Sequence, residues 1–148
     1  MADTSSPLAK APWHLWVVGA VSLVWNLFGA MDFMMTETRN QAYLKALTPA
    51  QLDFFLGFPF WVVTTWGVAV WGGVLGSLLL LLRRRQASHL FLASTICIVL
   101  TDFHNFALSD GMRVMGGAGP LIFAAIILAV GVLLFIYARA ITNRRVLR

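Results

Sequence analysis

Four long runs of apolar residues, separated by short polar stretches, dominate the chain. They cover roughly residues 14–34, 59–82, 90–108 and 119–140. A helix needs about 20 mostly apolar residues to cross the hydrocarbon of a bilayer, and each run comes close to that length. Within the runs apolar residues follow one another without alternation, as in VVGAVSLVW and IFAAIILAVGVLLFIYA. Strands of a membrane barrel would instead alternate apolar and polar positions. In lipid a segment must satisfy its own backbone hydrogen bonds, so the runs are expected to be helices. The pattern predicts an all-α membrane protein, a four-transmembrane-helix bundle that forms a single domain over 1–148.

Of the connections, only residues 35–58 are long enough to hold structure. Residues 41–47 have helical composition. Thr48-Pro49 then reads as a helix start, with Thr as N-cap and Pro at the first position. Asp53 follows, where the positive helix end favours it. A single helix from Pro49 to Leu82 would be about 50 Å long, more than the bilayer holds. Gly57-Phe58-Pro59 is therefore expected to break it. The result is a short outer amphipathic helix between spans one and two. Such a segment either caps an outward-facing cavity or simply lies in the interface, and amphipathic helices commonly do the second.

Composition supports this picture and orients it. The chain is 59% hydrophobic and only 11% charged, against about 25% charged in soluble domains. That excludes a disordered chain and an ordinary soluble globule. Lys10, Arg83, Arg84, Arg85, Arg139, Arg144, Arg145 and Arg148 fall on one side of the spans, and Arg39, Lys45 and Arg113 on the other. Positive residues collect on the cytoplasmic side, so both termini are expected there, in a bacterial inner membrane. The net charge of +5 then needs no nucleic acid. No small-residue cleavage site follows the first run, which is expected to remain a span. Cys97 is the single cysteine, so no internal disulfide forms.

Span three carries the best chemical clue. Ser88, Thr95, Asp102 and Ser109 recur every seven residues, and Asn105 follows Asp102 by three. On a helix they share one face. Asp102 lies about 18 Å along the span, in its outer half. An ionisable residue inside a membrane is by default a candidate functional site. In span one Gly19, Ser22, Asn26 and Gly29 fall within about 80° on a helical wheel, with Asp32 at the edge of that arc. This face is expected to complement span three, bringing Asp32, Asp102, Asn26, Asn105, Thr95 and His104 to one outward cavity. The competing expectation is that these groups only hold helices together.

Other seams are made of small residues. Gly72 and Gly76 form a GxxxG on span two, and Gly117, Ala124, Gly131 and Ala138 recur every seven residues near and along span four. Small residues let helix backbones approach closely. These seams serve either intramolecular packing or, at Gly72 and Gly76, a homodimer contact. Trp25, Trp66 and Trp71 lie deep in their spans, where an indole N–H needs a partner or a wet cavity. Met31, Met34, Met35, Met112 and Met115 all lie toward the outer side, and thioethers suit Cu(I), although Met also fills apolar gaps. The chain has no phosphate loop, dinucleotide fingerprint, zinc-protease motif or nucleophile elbow. No enzyme activity and no cofactor is expected.

The stretches APWHLWVVGAVSLVWNLFGAMDFMMTETRNQ, LTPAQLDFFLGFPFWVV and VWGGVLGSLLLLLRRR resemble a family of small, mostly uncharacterised bacterial four-span inner-membrane proteins, some labelled sugar transporter. The resemblance covers about the first 85 residues. It singles out Trp25, Asn26, Asp32, Thr36, Asn40, Tyr43, Thr48, Pro49, Gln51 and Pro59, without implying a catalytic residue. Three functions fit the sequence: a small-solute transporter or binder, an accessory or assembly subunit of a larger membrane complex, and an outer-face copper handler. The expected partners are the bilayer and either a second copy or a larger membrane complex.

Overall fold

The computed structural model describes residues 9–147, so Arg148 of the cation pattern lies outside the described residues. The elements are α1 (Trp13–Glu37), α2 (Gln41–Leu44), α3 (Pro49–Leu56), α4 (Phe60–Leu81), α5 (Gln86–Phe103) extended by a π-helical turn (His104–Leu108), α6 (Gly111–Val114) and α7 (Ala118–Asn143). No strand occurs among the described residues. Four of the helices are long and apolar enough to cross a membrane: α1, α4, α5 with its π turn, and α7. The all-α four-helix membrane architecture is thus as the hydrophobic pattern predicts.

Local signals set the element ends. Thr48 caps α3 through a capping box: its hydroxyl accepts from the Gln51 N–H while the Gln51 side chain accepts from the Thr48 N–H. Gly57 ends α3, and Pro59 starts α4. The break falls where the sequence places it.

The spanning helices pack in sequence order, α1 on α4, α4 on α5 and α5 on α7, with no extended contact joining α7 back to α1. α4 is the central element because its glycines face both ways. A Cβ on Gly73 would meet the Asn26 side chain of α1, and Cβ atoms on Gly72 and Gly76 would meet Ser94 and Phe91 of α5. The Gly72–Gly76 seam is therefore filled within the chain. Gly131 of α7 likewise meets Thr95 of α5. Gly117 departs from its expected packing role. It precedes α7 with φ 103°, and nothing lies within 4 Å of where its Cβ would be. The face of α1 expected to complement α5 packs on α4 instead.

Both ends of the described chain meet at one end of the bundle, termed here the termini end. Leu15, Leu80, Ala87, Phe91, Leu134, Ala138, Ile141, Val146 and Leu147 form the buried core there. Arg83 binds it together: its guanidinium donates to Val146 O at 2.9 and 3.1 Å and to Ala9 O at 2.9 Å. On α1 and α7, His14 Nδ1 and the Tyr137 hydroxyl share a 2.6 Å hydrogen bond. The opposite end, which carries α2, α3 and α6, is termed the loop end.

Candidate functional site

Toward the loop end the helices do not close on one another. They surround a cavity of about 650 Å³, within the usual range for small-molecule sites. α1 contributes Trp25, Asn26 and Asp32, α4 contributes Trp66, and α5 contributes Thr101 and Asp102. The π turn adds Asn105 and Phe106, and α7 adds Phe123 and Ala124. Tyr43, Phe55 and Phe58 come from the segment between α1 and α4, so this segment covers the cavity. This part of the cavity wall is termed here the cap. A smaller hollow of about 130 Å³ lies beneath it, between Asp32, Thr36, Tyr43, Leu47, Phe55 and Trp66.

The cap is held by aromatic rings and one polar bond. Phe54, Phe55 and Phe58 meet edge to face with centroids 5.2 to 5.7 Å apart, and Phe58 reaches Trp66 at 6.1 Å. Edge-to-face contact matches the positive ring rim to the negative ring face. The Tyr43 hydroxyl donates to Asp32 Oδ1. That bond, followed by burial and by the Asp32 charge, pushes the Tyr43 phenol up to about 12. The phenol therefore stays protonated at any physiological pH and keeps donating.

Four of the six expected site residues line the cavity: Asp102, Asn105, Asp32 and Asn26. Their chemistry differs. Asn26 donates its amide to Ser22 O at 2.8 Å and to Ser77 Oγ at 3.2 Å, so both of its N–H groups are used. Asp32 accepts from Tyr43. Asp102 is half-buried. No hydrogen bond or ion pair engages its carboxyl among the described residues. Asn105 is brought to the same wall by the π turn, whose register depends on Gly111: a Cβ there would lie 2.2 Å from Asn105 O. π turns inside helices are frequent at functional sites.

The other two candidates sit elsewhere. Thr95 bonds to Phe91 O at 2.7 Å and packs against Gly131, one step nearer the termini end. His104 lies between Phe58 and Trp61, with ring centroids 5.5 and 5.4 Å away, and bonds to Asn105 Oδ1 at 3.3 Å. It supports the wall from behind. Ser88 and Ser109 also turn to local partners, Arg85 O and His104, so the seven-residue stripe does not form one continuous polar face.

Met115 lines the cavity; Met31, Met34, Met35 and Met112 do not. Among the described residues no group of three or more His, Cys, Asp or Glu could hold a metal ion. The aromatic wall is not predicted by the polar spacing, which marks Trp25 and Trp66 only as deep indoles. The density of rings between Phe54 and Trp66 was the available signal. Comparison with family models, with curated proteins and with solved structures found no match.

Proposed function

We propose that this protein binds a small solute in its loop-end cavity and moves it between the two sides of the membrane. The observation that carries the reading is Asp102, a carboxyl with no partner among the described residues, on the wall of a cavity of about 650 Å³ between spanning helices. A carboxylate in such surroundings is expensive to keep for packing alone. The cation pattern orients the termini to the cytoplasm of a bacterial inner membrane and the cavity to the outer half. The resemblance to four-span proteins labelled sugar transporter supports the same class of function. Gly72, Gly76 and Gly131 are packed within the chain, and four of the five methionines lie off the cavity wall. Solute binding is therefore preferred to assembly and to copper handling.

The test is equilibrium binding to purified protein in lipid nanodiscs, over a panel of sugars, amines and inorganic ions. Ala124→Trp, which places a large ring on the cavity wall, is the blocked control. Saturable binding that Ala124→Trp removes is the expected result. A panel in which wild type and Ala124→Trp behave alike overturns the reading.

A further inference from the structure

We infer that the ligand of this cavity is a lipophilic organic cation that reaches it from the bilayer, between α1 and α7. This rests on the cavity being a solute site, as proposed above, and adds the ligand's chemical class and its route.

Wall chemistry sets the class. The lining holds two carboxyl groups, Asp32 and Asp102, and no Lys, Arg or His. Around them stand Trp25, Tyr43, Trp66 and Phe123. Asp102 is half-buried, a carboxylate drawn out of water needs a counter-charge, and the described residues place none beside it. Aromatic faces attract cations, most strongly quaternary ones that carry no tight water shell. The bulk of such a ligand would cover apolar wall and gain from its own dehydration.

A sugar fits this wall less well, because its hydroxyls need donors as well as acceptors and the wall has few donors left. Asn26 has spent its donors on Ser22 and Ser77. Thr101 is engaged with Cys97 O and Thr65 Oγ1, and the Tyr43 hydroxyl with Asp32. Hydroxyls left unpaired on burial are penalised. An anion would meet two carboxyl groups.

The open side sets the route. α1 and α7 lack extended contact, and at the level of the cavity the pair Trp25–Phe123, with centroids 6.5 Å apart, bridges them. Phe28 and Phe123 line the cavity and are 63% and 58% exposed. Both rings lie on helices long and apolar enough to span a membrane, beside the gap between α1 and α7. The loop end, by contrast, is roofed by Tyr43, Phe55 and Phe58. A ligand that partitions into the bilayer finds an aromatic slit, whereas one in water meets the roof.

The experiment measures binding of radiolabelled tetraphenylphosphonium to the full chain in zwitterionic nanodiscs, with protein-free discs subtracted. Anionic tetraphenylborate is the isosteric control, and triphenylphosphine oxide, one ring smaller, is the neutral one. Saturable tetraphenylphosphonium binding is expected, weakened at least tenfold by Asp102→Asn, largely restored by Asp102→Glu and abolished by Ala124→Trp, with no comparable binding of the borate. If the phosphine oxide or a sugar binds in an Ala124→Trp-sensitive way and the cation does not, the cavity reading stands and the cation assignment falls. If no probe binds in that manner, both fall. For the route, Phe123→Ala should speed association of vesicle-delivered tetraphenylphosphonium several-fold more than Phe55→Ala does. The reverse order would assign access to the roof and overturn the bilayer route.

Discussion

At the residue scale, a single missing Cβ decides how α1 and α4 meet. A methyl group on Gly73 would fall 2.1 Å from Asn26 Oδ1, and Asn26 is held by Ser22 and Ser77. Gly73→Ala must therefore displace the amide and break those bonds. We expect a loss of about 2 kcal/mol, as for other overpacked interiors, seen as a lower unfolding midpoint in detergent. Tyr43 gives a second prediction. Its pKa is raised in the folded protein, so its contribution to stability is fully present below the ordinary value of 10.0 and is lost as pH rises through about 12. In a Tyr137→Phe background, which leaves Tyr43 as the single tyrosine, tyrosinate absorbance should show a midpoint near 12 that falls toward 10.0 on Asp32→Asn. Residues such as Asp102 and Asn105 were legible because spacing along one helix places them on one face. Tyr43 was not, since its partner lies across a chain reversal that no local period encodes.

At the element scale, three helices end in the same way, with an arginine where glycine is usual. Arg39, Arg83 and Arg145 have φ of 53°, 56° and 55°. After α1, Arg39 N–H bonds to Thr36 O and Asn40 N–H to Met35 O. After α4 the pair is Arg83 to Leu80 O and Arg84 to Leu79 O, and after α7 it is Arg145 to Thr142 O and Val146 to Ile141 O. Each is a Schellman closure. The left-handed conformation costs a residue with a Cβ about 1–2 kcal/mol, partly offset by a cation at the negative helix end. Arg39 is exposed, so Arg39→Gly relieves the strain at little other loss. After the greater entropy of Gly in the unfolded chain is subtracted, we expect a gain of about 0.5 kcal/mol, read from equilibrium unfolding. These closures were hidden because the sequence rule looks for glycine after a helix. The start of α3 was legible because Thr48, Pro49 and Gln51 obey their rule. The π turn was hidden because an ideal helix was assumed up to Leu108.

At the scale of the whole molecule, the two ends of the bundle do different work. The termini end holds the packed core and the Arg83 clasp; the loop end holds the cavity and its roof. Hydropathy gave the four spans, and cation placement gave the common side of the termini. Neither carries information on which helices touch, so the pairing of α1 with α4, and not with α5, emerged only from the fold. The division has a measurable consequence. Arg83→Ala removes the bonds to Val146 O and Ala9 O, a loss of about 2 kcal/mol for hydrogen bonds from a charged donor. Gly111→Ala drives a Cβ against Asn105 O at the other end, again about 2 kcal/mol. α4, with 22 residues, separates the two by about 30 Å, far beyond the range at which mutations usually couple. The double variant should therefore lose the sum of the single losses to within about 0.5 kcal/mol. Only Gly111→Ala should weaken ligand binding, because it alone moves Asn105. Strong non-additivity, or a binding defect in Arg83→Ala, would show that the core and the cavity are mechanically joined.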